Sequence, residues 1–167
     1  MSVLAPAVGA ILAAIIESSV LTHLQVGSIK PDLVFAVGVA VAMVLGFESG
    51  MTWAFVGGVT ADLLMPERVL GSTALALVVV TALALLVARA TWPPRLAIVA
   101  GTTLALGIVF QLMLLALLAV TSGVGWAGSS IADLLAVAAL DVVIAVPAAL
   151  VLRAIDLRFG EPERVAW

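Results

Sequence analysis

The chain has 167 residues, 65% of them hydrophobic, and only seven basic and ten acidic side chains, for a net charge of −3; its mean hydropathy is +1.35. These figures exclude an ordinary soluble domain, about half apolar and about a quarter charged, and a nucleic-acid binder built on a basic surface. An integral membrane protein remains, and at ~20 apolar residues per crossing six crossings leave no room for a separate soluble domain.

Six apolar segments follow one another: Val3–Leu21, Leu33–Leu45, Gly50–Leu64, Leu70–Ala88, Leu96–Val120 and Ile131–Leu152, with 153–167 left as a short tail. The first begins without a preceding Lys or Arg, so a cleaved signal peptide is not expected. Turn chemistry separates the segments at Gly27–Asp32, Met65–Arg68, Trp92–Arg95 and Thr121–Ser130. Continuous Ala- and Leu-rich runs lack the alternation of a membrane barrel, so the expected fold is all-α, a compact six-helix membrane domain. The shallowest cut is Gly46-Phe47-Glu48-Ser49. An unbroken Leu33–Leu64 helix would be about 48 Å long against a hydrocarbon core of ~30 Å, so a hairpin of two short helices is expected, with Glu48 in its turn.

With six spans, Arg89, Arg95, Arg153, Arg158 and Arg164 lie on the side of both termini and only Lys30 and Arg68 on the other. That bias puts the termini in the cytoplasm. A five-span reading would keep the C-terminus inside and move the N-terminus out. Trp53, Trp92 and Trp126 fall near segment boundaries, as an aromatic belt would have them.

Acidic side chains inside spans are expensive unless they are paired, protonated or face a polar cavity. Glu17, Asp62 and Asp141 are such residues, and Asp133 opens the sixth segment. Glu17, Asp62 and Asp133 fall on the outer side and could share a polar pocket with His23, Asp32 and Lys30. The alternative is a set of helix-end carboxylates that reach interfacial water or neighbouring hydroxyls. Asp62 in particular is placed to bond Ser72 or Thr73 at the start of the fourth segment. Small residues recur every four positions at Gly38, Ala42 and Gly46 and again at Gly50, Ala54 and Gly58, which marks close helix packing or a partner contact. Pro147 is a candidate kink and Gln111 a polar group that needs a neighbour.

Catalytic patterns are not found. A single histidine excludes a multi-histidine metal centre, no cysteine is present, and there is no phosphate loop or dinucleotide fingerprint. Ser49 and His23 would sit at opposite membrane faces, far from the ~3 Å a nucleophile and base require. No cofactor, catalytic residue or metal ligand is therefore expected.

Pro31-Asp32-Leu33 opening the second segment, Gly50…Gly57-Gly58…Asp62 in the third and Leu70-Gly71-x-x-Ala74-Leu75 opening the fourth form a pattern. In it, and in size and span layout, the chain resembles the rod shape-determining protein MreD family. The resemblance implies a non-enzymatic scaffold subunit of the bacterial cell-elongation machinery in the inner membrane. It implies an MreC-like single-span partner and, through the complex, MreB filaments and the RodA and penicillin-binding-protein pair that build peptidoglycan. It also implies a fold similar to the S-components of energy-coupling-factor vitamin transporters, which supply the competing reading of a small-molecule binding subunit. Ala10…Ala14 matches the A-x-x-x-A pattern of those subunits, but the few polar candidates near the outer face (Glu17, His23, Gln25, Asp62, Trp126) make a thin vitamin site.

Overall fold

Leu33–Leu45 reads LVFAVGVAVAMVL, apolar on every side, and a helix of that kind must be enclosed by others. A computed structural model describes residues 3–21, 30–65, 70–91, 95–122 and 131–159. Among them are six α-helices and no strand: α1 (Leu4–Ile16, continued by a π-helical turn, Glu17–Leu21), α2 (Leu33–Leu45), α3 (Phe47–Leu64), α4 (Ser72–Ala90), α5 (Leu96–Ser122) and α6 (Ile131–Phe159). Helix α2 packs against all five others. Its 13 residues span only about 20 Å, so it lies inside the bundle with Val34, Phe35, Ala36, Ala40, Ala42 and Met43 fully buried. The Phe35 ring stacks on Phe110 of α5 at a centroid distance of 4.9 Å.

Three of the helices are long and apolar enough to cross a membrane. They are Ser72–Ala90, Leu96–Val120 and Ile131–Arg158, with mean hydropathies of 2.3, 2.5 and 2.6. Buried threonines do not break this apolar pattern where the hydroxyl bonds back to its own helix, as Thr103 does to the Val99 carbonyl at 2.9 Å.

The second and third segments form a hairpin, and its turn is tighter than the four residues expected. Gly46 alone separates α2 from α3, with φ 88° and ψ −164°, a conformation that L side chains rarely adopt. Its N–H closes α2 on the Ala42 carbonyl at 3.2 Å, and its carbonyl accepts the first bond of α3 from the Gly50 N–H at 3.0 Å. Glu48 is consequently in the first turn of α3, exposed, where the helix dipole favours a negative charge. Antiparallel packing of the pair is read from three approaches in reverse order. A Cβ on Gly50 would meet the Ala42 backbone at 2.9 Å, one on Gly38 the Trp53 ring at 2.9 Å, and one on Gly57 the Val34 side chain at 2.8 Å.

Trp53 is not an interfacial anchor. It is 6% exposed, its indole Nε1 donates to the Val34 carbonyl at 3.0 Å, and its ring lies against Gly9 of α1 and Gly38 of α2. A ring of that size reaches the core because neither neighbour carries a side chain. The supposed tail also begins as helix, since α6 continues through Pro147 to Phe159. Trp92, Trp126, Arg68 and Arg164 lie outside the described residues.

Candidate functional site

A helix that starts inside a bundle brings N–H groups that have no intrahelical partner and no water to meet. At the start of α2 three carboxylates from three parts of the chain meet them. Asp32, the N-cap, accepts from the Phe35 N–H at 2.9 Å. Glu17, at the point where α1 passes into its π-helical turn, accepts from the Val34 N–H through Oε2 at 3.0 Å. Asp141 of α6 accepts from the Asp32 N–H through Oδ1 at 2.8 Å. Glu17 is 2% exposed, Asp32 7% and Asp141 not at all. Asp141 is ten residues into α6, about 15 Å from that helix's first residue, so the cluster is well below the level at which α6 begins.

The start of α4 is built on the same plan with one carboxylate. Asp62, near the end of α3 and 2% exposed, accepts from the Gly71 N–H at 2.9 Å and the Ala74 N–H at 3.2 Å through Oδ2. Its Oδ1 accepts from the Thr73 N–H at 3.1 Å. The expected contact with the fourth segment is therefore made to backbone amides. Gly71 stands at the N-cap with φ +91°; that left-handed turn aims successive amides at one side chain. Gly58, one turn before Asp62, lets α3 approach so closely that a Cβ there would run into the Ala74 backbone. Gly58, Asp62 and Gly71, three residues of the motif, thus form a joint between α3 and the start of α4, with Leu70 exposed beside it; Gly50, about 18 Å before Asp62 along α3, packs instead on Ala42 of α2 and Thr81 of α4.

The proposed common pocket of Glu17, Asp62 and Asp133 is not what these contacts describe. Glu17 serves the start of α2 and Asp62 the start of α4, each in trans from the preceding helix. Asp133 sits half-buried in the first turn of α6, eight residues and about 12 Å along the helix from Asp141. Pro31 and Lys30 are half-buried beside Asp32, and His23 lies outside the described residues. Gly38, Ala42, Gly46 and Ala54 are buried between helices of this chain, so their surfaces are taken by internal packing. The meeting of Asp141 with Asp32 was not anticipated. Its signal in the sequence was the presence of an acid in the middle of an apolar segment, which demands a partner without naming one.

Among the described residues no three His, Cys, Asp or Glu side chains are arranged to hold a metal ion. What the carboxylates do in this geometry is satisfy buried amides, offset the partial positive charge of helix starts and tie separate helices together. No family model, curated protein or solved structure matches this chain.

Proposed function

We propose that the protein is a non-enzymatic scaffold subunit of the MreD kind in the bacterial cell-elongation machinery. In this reading it crosses the inner membrane six times, with both termini in the cytoplasm. It pairs with an MreC-like single-span protein and, through it, with MreB and the RodA and penicillin-binding-protein synthase. The observation that carries the reading is the work done by the residues behind the resemblance. Asp32 caps α2, Asp62 caps α4 and Gly58 brings α3 against Ala74. These are joints, and a chain whose polar residues are spent on joints acts through its outer surface.

That surface is apolar. Leu4, Val8, Ile11, Leu12, Ile15 and Ile16 form an exposed face of α1, suited to lipid or to a partner helix, and association in lipid depends on close packing between such faces. The test is co-purification of the full chain with an MreC-like protein in mild detergent. Stable recovery of the pair is expected. A well-folded protein that retains no single-span partner and binds a vitamin at submicromolar concentration would overturn the reading in favour of a transporter subunit. Ala42→Leu and Ala54→Leu do not probe the partner surface, because both positions are fully buried.

A further inference from the structure

Among the described residues, Asp141 has a geometry that capping does not account for. Its Oδ1 receives the Asp32 N–H at 2.8 Å, but its Oδ2, completely enclosed, has no hydrogen-bond partner. A buried carboxylate oxygen without a donor is strongly unfavourable in an apolar interior, and here a second carboxylate, that of Asp32, belongs to the residue whose N–H Asp141 binds. No permanent positive charge of the surrounding helices offsets it. Helix α2 carries no titratable side chain between Leu33 and Leu45, and α5 carries none between Leu96 and Ser122. On α6, Asp133 lies two turns earlier, and Arg153, Asp156 and Arg158 lie three turns or more later. Among the described residues, the ionisable groups adjoining this point are Asp32, Lys30 two residues before it in the chain, and Glu17, which is bonded to the Val34 N–H.

We propose that the Asp32–Asp141 pair, at the junction of α6 with the start of α2, is a binding site for a single positive charge, a proton or a monovalent cation, held at Asp141 Oδ2. Occupied, the site ties the middle of α6 to the start of the central helix. Empty, it leaves Asp141 Oδ2 enclosed and uncompensated beside the residue whose N–H Asp141 holds, and the junction is weakened. The packing of α6 on α2 thereby becomes responsive to the ionic conditions on the side from which the site is reached. This inference is independent of the scaffold reading, since it concerns the purified chain alone.

Thermal unfolding of the full chain in detergent tests it in two arms. The first is a pH series at constant ionic strength without sodium, and the second a sodium titration at fixed pH with choline as the replaced cation. A bound proton gives a Tm that falls as pH rises and ignores sodium, whereas a bound cation gives a Tm that rises with sodium. In either case Asp141→Asn, whose amide puts a permanent donor where Oδ2 stands, should accumulate, unfold no lower than the native protein and lose the response. Asp133→Asn should keep it. Indifference of the native protein in both arms, a response retained in Asp141→Asn, or failure of Asp141→Asn to fold where Asp133→Asn does would each overturn the proposal.

Discussion

Asp62 shows how much one side chain can hold. Three backbone N–H groups at the start of α4 converge on its two oxygens, and each buried donor left without an acceptor costs about 1–3 kcal/mol. Asp62→Leu removes both acceptors and is expected to destabilise by on the order of 3 kcal/mol or more, read as a large loss of folded protein in detergent. Asp62→Asn keeps one carbonyl oxygen and turns an NH2 group against amide donors. It should therefore fall between native and Leu, a harsher outcome than a single hydroxyl contact would give. Identical stabilities for the Asn variant and the native protein would show that the three-amide cap is not formed. The need for a partner at Asp62 and its place near Ser72 and Thr73 were legible from the sequence. That the partner is the backbone was not, because amides leave no trace in a residue pattern and only the left-handed turn at Gly71 aims them.

Among the elements, the α2–α3 hairpin was the most readable. Excess length demanded a break, and Gly46 was inside the expected turn. The sequence did not disclose that one residue suffices, since that depends on a backbone conformation rather than on composition. Trp53 was misplaced for a related reason. An amphipathic ring near a segment boundary suits either an interface or a buried carbonyl, and the choice was made by two glycines on other helices, one of them 44 residues away in sequence. Trp53→Phe should lose the bond to the Val34 carbonyl and about 1 kcal/mol. Gly38→Leu should cost more, because the ring and the backbone of α2 cannot both stay in place. The comparison is made by thermal unfolding, and a Gly38→Leu protein as stable as Trp53→Phe would contradict the packing described.

Across the whole molecule, a short apolar helix is wrapped by five others, and its polar start is closed by carboxylates of α1, its own N-cap and α6. Composition foretold the helical class, and the breaks in hydropathy foretold the number of helices among the described residues. Which segment would be central was hidden, because apolar residues face either lipid or protein and all six segments are rich in them. The scaffold reading requires that this bundle cross the membrane with the α2–α3 turn on the side of both termini and the start of α6 on the opposite side. Native cysteine is absent, so single cysteines at Glu48, which is exposed, and Ile131, 76% exposed, report the two sides directly. Labelled with a membrane-impermeant maleimide in intact and in opened cells, position 131 should react from outside and position 48 only after the cytoplasm is opened. Labelling of position 48 from outside, or of both positions from the same side, would contradict the account.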